Sequence, residues 1–271
     1  MKIAVLGPGG MLGGKMMSAM RRAGFHTDGF ARPDFDAENP NFKLIAGYDY
    51  IINCIGIIKP YIHDRVSADV VRAMRVNSEF PHMLARMDAR IIQIATDCVW
   101  DGARGMYTET DPHNATDVYG KTKSLGEVAS DNFLNLRCSI IGHETKSYLS
   151  LLEWFLRRPA NASVNGFRNH LWNGLTTDAF ADICVGMIRH NAWHAGLMHV
   201  VPADIVTKAA MLHMFAARFG RGDININDVD APVAVNRTIA TNDPGRNEQL
   251  WRLGGYRHIP TICEMINSIT R

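Results

Sequence analysis

Residues 2–13 read Lys2-Ile3-Ala4-Val5-Leu6-Gly7-Pro8-Gly9-Gly10-Met11-Leu12-Gly13. A short apolar run of β type meets glycines at once, and Met11 to Ala23 then follows with helical spacing. Each glycine of the Gly7, Gly10, Gly13 series has a use in a strand–turn–helix. Gly7 permits a tight turn, Gly10 lets the backbone approach a pyrophosphate, and Gly13 lets the helix pack closely on the sheet. The helix start adds free N–H groups and a partial positive charge. Gly7, Gly10, Met11, Leu12 and Gly13 are therefore read as cofactor-binding positions for a dinucleotide.

Outward from this turn, strand and helix alternate. Strand candidates are His26 to Ala31, Tyr50 to Ile55, Arg90 to Ala95 and Phe133 to Arg137, with helical spacing over Val66 to Arg86 and Tyr119 to Ser130. The pattern predicts an α/β fold, a Rossmann-type doubly wound parallel sheet with a smaller C-terminal substrate-binding region. Beyond Ile141 the order weakens: helices are read at Tyr148 to Arg157, Asp178 to Arg189 and Val206 to Phe219, a strand at Leu197 to Val201, and a polar stretch at Asp223 to Asp230. The division read from this is 1–141 for the cofactor domain with its catalytic residues and 142–271 for a region mainly contacting substrate, packed on the first without a linker.

Composition limits the partners. Of 271 residues 46% are hydrophobic and 21% charged, with a formal net charge of +2. That is the profile of a soluble globular protein, and the absence of a dense Lys/Arg run argues against nucleic acid. No window reaches the roughly 18 apolar residues of a membrane helix, and the first residues do not form a secretory signal. The five cysteines (Cys54, Cys98, Cys138, Cys184, Cys263) are scattered and odd in number, which is read as reduced thiols in a cytoplasmic protein. His190 and His194 have a ligand-like spacing but lack an acidic third partner, so no metal is expected. Oligomeric state is not legible, and a homodimer stays open.

The second strand ends Phe30-Ala31-Arg32-Pro33-Asp34. An acid at that point would hold the ribose hydroxyls of NAD, whereas arginine accepts the 2′-phosphate of NADP. Arg32 points to NADP(H). Asp34 or Asp36 can still reach the ribose or adenine, which leaves NAD(H) as a second cofactor.

Tyr119-Gly120-Lys121-Thr122-Lys123 places a tyrosine and a lysine one helical turn apart on one face. Carbonyl reduction needs a proton for the oxygen, and a free phenol with pKa near 10 is a poor acid–base group at neutral pH. A nearby ammonium favours the phenolate, so Lys123 is expected to lower the pKa of Tyr119 and to hold the nicotinamide ribose. Ile91 to Thr96 is a strand ending in a hydroxyl residue at the sheet edge where α/β sites are built. Thr96, Tyr119 and Lys123 are the candidate catalytic residues.

These segments carry a resemblance. Ala95-Thr96-Asp97-Cys98-Val99-Trp100-Asp101-Gly102, then Tyr107-Thr108-Glu109-Thr110-Asp111-Pro112, then Tyr119 to Lys123 with Gly126-Glu127, resemble the dTDP-4-dehydrorhamnose reductase family, whose pattern is STDYVFDG, Y-x-E-x-D-x-P and YGxSKxxGE. Cys54, Ile55 and Gly56 resemble its cofactor-covering loop, and Asn77 its helix asparagine, a candidate for holding a backbone bend or a relay water beside Lys123. Trp172-Asn173-Gly174-Leu175-Thr176-Thr177 stands where the family has a segment near the sugar. The resemblance implies NADPH-dependent reduction of the C4 keto group of a nucleotide-linked 4-keto-6-deoxyhexose, with Thr96, Asp97, Cys98, Trp172, Asn173 and Thr176 on the substrate side. Cys98 replaces the family's tyrosine, Ile140-Ile141-Gly142 its tryptophan segment, and Asn173-Gly174-Leu175-Thr176 its proline turn. Sugar identity and stereochemistry are therefore open. Two rival readings use the same fold: an epimerase or epimerase/reductase, and a non-catalytic NADP-binding regulatory subunit. Asp97 is read as structural within the motif, and Lys59 as either a cofactor-side or a surface residue.

Overall fold

The computed structural model describes residues 1–144, 146 and 148–270. Its central sheet is built from runs whose side chains are buried on both faces. In β1 (Lys2–Leu6), Ile3 and Val5 enter one apolar core while Ala4 and Leu6 enter another on the opposite face, as a strand inside a covered parallel sheet requires. The other members are β2 (His26–Phe30), β3 (Tyr50–Asn53), β4 (Arg90–Ala95), β5 (Phe133–Arg137) and β6 (Gly196–His199). All neighbours pair parallel, in the order β6-β5-β4-β3-β1-β2. The fold is thus the expected Rossmann-type α/β sheet. Its edge strand β6 comes from beyond residue 141, so that boundary does not separate the sheet from the rest.

The helices are α1 (Met11–Arg22), α2 (Ser67–Ala73), α3 (Phe80–Leu84), α4 (Val118–Leu125) and, later, α5 (Leu151–Leu156), α6 (Thr177–Arg189), α7 (Lys208–Phe219), α8 (Pro244–Leu253) and α9 (Ile262–Asn267). Three of these depart from the periodicity in an instructive way. The helix read across 66–86 is interrupted by a π turn at Met74–Glu79, a device that inserts a residue without ending the helix. The helix read to Ser130 stops at Leu125 with Gly126 as its C-cap, a position where a Cβ would lie 1.9 Å from the Asn77 carbonyl oxygen. The helix read from Tyr148 begins at Leu151, where Ser150 caps the Glu153 N–H.

Strand β3 ends two residues earlier than read, because the Asn53 side chain accepts from Ile55 N at 3.1 Å and turns the chain out of the sheet. The polar stretch 223–230 contains a strand, Asn225–Val229, whose backbone pairs parallel with Ser163–Phe167. His170–Trp172 pairs antiparallel with Val206–Thr207 and parallel with Val235–Asn236. Among the described residues no helix is long and apolar enough to cross a membrane.

Candidate active site

The glycine turn leaves β1 with Gly7 at φ +79°, its N–H donating to Phe30 O at 2.9 Å. A Cβ on Gly13 would lie 2.0 Å from the Gly7 carbonyl oxygen, so α1 and the turn touch backbone to backbone there. Gly10 is different: a Cβ would meet only Gly7 O at 3.4 Å, and the residue faces a cleft. Gly10 is also the N-cap of α1, with no capping side chain and no acid in the first turn. The helix therefore presents uncapped N–H groups at the cleft.

Two adjoining clefts of about 490 and 590 Å³ open along the carboxyl edge of the sheet. They share Gly9, Gly10, Cys54, Ile55 and Gly56. The first reaches Arg32, Asp36 and Arg72. Arg72 donates to Glu38 at 2.9 Å, and Asp36 accepts from Glu38 N at 3.0 Å, which shapes the loop after β2. Lys146 lies over the glycine turn: a Cβ on Gly9 would come within 2.9 Å of its ammonium nitrogen.

The second cleft brings Thr96, Tyr119 and Lys123 together with Met11, Leu12, Asp97, Cys98 and Trp172. Thr96 ends β4 and caps the turn Asp97–Val99, its Oγ1 accepting from Cys98 N at 3.2 Å and donating to Asp97 Oδ1 at 3.3 Å. Tyr119 sits in the first turn of α4, capped by Asp117, which accepts from Gly120 N at 2.8 Å. The glycine after Tyr119 has a packing role. A Cβ on Gly120 would lie 2.3 Å from the Cys98 carbonyl oxygen, so only glycine lets α4 approach the turn after β4 and bring the phenol to Thr96. One turn on, the Lys123 ammonium donates to Ile94 O at 3.0 Å.

Burial raises the phenol of Tyr119 above its ordinary 10.0, with the neighbouring Cys98 adding to the effect and a hydrogen bond with Thr96 opposing it. The expected lowering by Lys123 is not what sets the phenol here, because that ammonium is held by the Ile94 carbonyl. Burial brings Lys123 itself down to about 8, partly opposed by Glu127. Asp97 is raised by burial, against the pull of Arg237 and Lys208. Cys98 and Cys54 are pushed up to about 12 by burial, so both stay thiols. This arrangement suits Tyr119 to giving a proton rather than to resting as a phenolate.

Several candidates stand outside the clefts. Asn77 lies behind the loop, where its side chain holds Ile57 and reaches Thr122 Oγ1 at 3.3 Å. Asn173 is buried, bonded to Ile239 O at 2.7 Å and to Ile239 N at 3.0 Å. Thr176 caps α6 through Ala179 N. Gly13 packs the helix, and Lys59 is spent on Asp117 at 2.6 Å. Conversely, Arg72, Lys146 and Lys208 line the clefts unannounced, because each arrives from an element whose local pattern carries no motif. Among the described residues no group of His, Cys, Asp or Glu is gathered to hold a metal.

An open parallel sheet with a glycine turn at β1, a hydroxyl at the end of β4 and a tyrosine–lysine pair on the helix facing it defines a Rossmann-type α/β protein with its cleft at the carboxyl edge of the sheet. The chain belongs to the RmlD substrate binding domain family, whose model matches residues 1–237. It is 29% identical over 139 residues to a dTDP-4-dehydrorhamnose reductase of Mycobacterium tuberculosis, an alignment taking in 47% of this chain and 45% of that one. The chain thus spans about half the length of the curated relatives it matches. In fold it is similar to a Clostridium acetobutylicum dTDP-4-dehydrorhamnose reductase ortholog, with a TM-score of 0.79, 20% identity, and 98% and 97% of the two chains covered. It is also similar to the Bacillus anthracis dTDP-4-dehydrorhamnose reductase in complex with NADP, with a TM-score of 0.77, 16% identity, and 98% and 96% covered.

Proposed function

We propose that the protein is an NADPH-dependent reductase of the 4-keto group of a nucleotide-linked 4-keto-6-deoxy sugar. The observation that carries this reading is the meeting of Thr96, Tyr119 and Lys123 in one cleft that continues into the glycine turn. The residues fit a dinucleotide: a Cβ on Gly10 would fill the space before the bare start of α1, and Arg32 and Arg72 put positive charge at the far end. Asp36 in the same cleft keeps NAD(H) as a second cofactor.

Bound there, the nicotinamide supplies the hydride. Thr96 hydrogen-bonds the carbonyl oxygen and holds it toward Tyr119. Tyr119 releases its proton to that oxygen as it becomes an alkoxide, and the phenolate left behind is stabilised by the Thr96 hydroxyl. Lys123, one turn along α4 and lining the same cleft, would hold the ribose. Met11, Leu12, Ile55 and Gly56 wall the cofactor side. Asp97, Cys98 and Trp172 wall the sugar side, so residues 142–271 contribute substrate contacts from Trp172 onward. The reading places the enzyme in the cytoplasm, in the building of activated sugars for polysaccharides.

The test is loss of NADPH absorbance against a panel of nucleotide-linked 4-keto sugars, with the product stereochemistry read by NMR. Net reduction of one of them supports the reading. Binding of NADPH without reduction of any would overturn it in favour of a regulatory subunit, and tightly retained cofactor with sugar isomerisation would favour an epimerase.

A further inference from the structure

The sugar end of the second cleft contains a lysine that the Thr96–Tyr119–Lys123 machinery does not use. Lys208 is the first residue of α7, whose start is fixed from two sides. Thr207 caps it by accepting from Ala210 N at 3.0 Å. A Cβ on Gly166 would lie 2.8 Å from Ala209 Cα, so the strand Ser163–Phe167 lies directly against this turn. The preceding strand Val206–Thr207 pairs with His170–Trp172, with Val206 opposite Trp172. Backbone pairing therefore delivers Trp172 and Lys208 to the cleft as one unit.

The Lys208 ammonium lies 5.3 Å from the centroid of the Trp172 ring, and that ring is itself held by Nε1 donating to Ser139 Oγ at 2.8 Å. Contact with a π face uses none of the three N–H donors. Among the described residues the ammonium makes no hydrogen bond, and the charged group that attracts it is Asp97. A half-buried cation with free donors, lining a ligand cleft together with a carboxylate, is placed to donate to a ligand oxygen. Thr96, which holds the carbonyl under the proposed reading, is the residue next to Asp97. The oxygen in question is then on a ring carbon beside the carbonyl. In a 4-keto-6-deoxyhexose C5 carries a methyl group and the ring oxygen, while C3 carries a hydroxyl.

We propose that Lys208 is the specificity-determining residue of the sugar end: its ammonium donates a hydrogen bond to the 3-hydroxyl oxygen, and Asp97 accepts a hydrogen bond from that hydroxyl. The substrate class is thereby narrowed to 4-keto sugars that retain an oxygen at C3. This rests on the reductase reading for the placement of C4 at Thr96. No bond is made or broken at C3. Lys208 acts by recognition, and its loss is expected in sugar affinity and KM more than in kcat.

The experiment measures calorimetric binding of a nucleotide-linked 4-keto-6-deoxyhexose and its 3-deoxy analogue to the NADP-loaded enzyme, for wild type, Lys208→Met and Lys208→Arg. Circular dichroism confirms that α7 is kept. Wild type is expected to favour the hydroxylated sugar by roughly 10- to 100-fold, the worth of a hydrogen bond to a charged group. Lys208→Met loses that preference by weakening only the hydroxylated sugar, Lys208→Arg keeps part of it, and NADPH affinity is unchanged in both. Wild-type indifference to the 3-hydroxyl, an undiminished preference in Lys208→Met, or equal weakening of both sugars overturns the assignment. Failure to bind either sugar overturns it together with the substrate class. Binding without reduction defeats only the reductase reading, and the binding ratios still decide the role of Lys208.

Discussion

Asn77 holds Ile57 by both of its backbone groups: Ile57 N donates to Asn77 Oδ1 at 2.8 Å, and Asn77 Nδ2 donates to Ile57 O at 3.0 Å. The loop Cys54 to Ile57 lines both clefts, so a residue in the π turn behind it sets the wall that the two clefts share. Asn77→Ala leaves two buried backbone groups unpaired, a loss of about 1–3 kcal/mol for each such group. The expected result is a lower urea midpoint and a weaker NADPH complex. Unchanged NADPH affinity in a destabilised variant would show that the loop's position is set elsewhere.

The glycines separate by what a side chain would strike. Gly13→Ala drives a methyl into the Gly7 carbonyl and is expected to lower thermal stability strongly, with or without ligand. Gly10→Val meets no such obstruction and is expected to fold, yet to lose dinucleotide binding because the side chain fills the approach to the start of α1. Melting curves with and without NADPH distinguish the two. A Gly10→Val protein that NADPH still stabilises puts the phosphate site elsewhere.

Burial brings both Lys123 and Lys208 to about 8, while the phenol of Tyr119 is raised and stays protonated across the neutral range. The charged lysines are lost as pH rises through about 8, so kcat/KM is expected to fall above it, by up to about tenfold per unit for each required proton. Each lysine binds fewer protons folded than unfolded between about 8 and its ordinary 10.5, so folding stability rises with pH across that window and gains nothing from it below. Lys123→Arg moves its part of the descending limb upward. A profile flat to pH 10 in the wild type would mean that neither charge matters to the reaction.

Arg32 lies in the first cleft just after β2, and Arg72 lines the same cleft. If it takes the 2′-phosphate, Arg32→Ala loses a charge-assisted contact of about 1.5–3 kcal/mol for NADPH and none for NADH. Titration of both cofactors into both proteins measures this. Equal wild-type affinities would remove the assignment, and an unchanged preference in the mutant would pass it to Arg72.

What could be read before folding was local. The glycine turn, the strand-end Thr96 and the Tyr119–Lys123 spacing are each contained in one supersecondary unit, so pattern alone placed them. The residues missed come from distant chain: Lys208 reaches the cleft because Val206 pairs with Trp172 and Gly166 admits α7, relations of which no single segment holds a trace. Asn173 and Thr176 stand outside the clefts for the same reason, since these sequence neighbours of Trp172 turn away to bond Ile239 and to cap α6. The effect of Lys123 on Tyr119 was inferred from spacing, whereas the competing acceptor, Ile94 O, belongs to a strand 29 residues earlier. Gly120 and Gly126 were visible only as motif letters until the backbones of Cys98 and Asn77 were found against them.

The proposed chemistry stands on the phenol. Tyr119 lies where Thr96 can hold a carbonyl against it, and its raised pKa makes it a donor that is loaded at neutral pH. Tyr119→Phe keeps the ring and removes only the proton, so turnover is expected to fall roughly 100- to 10,000-fold, the range for a general acid, with NADPH affinity nearly intact. Thr96→Val keeps shape and loses one hydrogen bond, and should cost less. Lys123→Ala should weaken NADPH and lower turnover with it, because under the proposed reading this ammonium positions the ribose and with it the nicotinamide. Single-turnover hydride transfer and cofactor dissociation constants, measured separately for the three variants, distinguish these effects. A Tyr119→Phe enzyme that reduces a 4-keto sugar nucleotide at the wild-type rate removes the proton donor. The donor role would then pass to Asp97 or Cys98, the protonatable groups on the same side of the cleft.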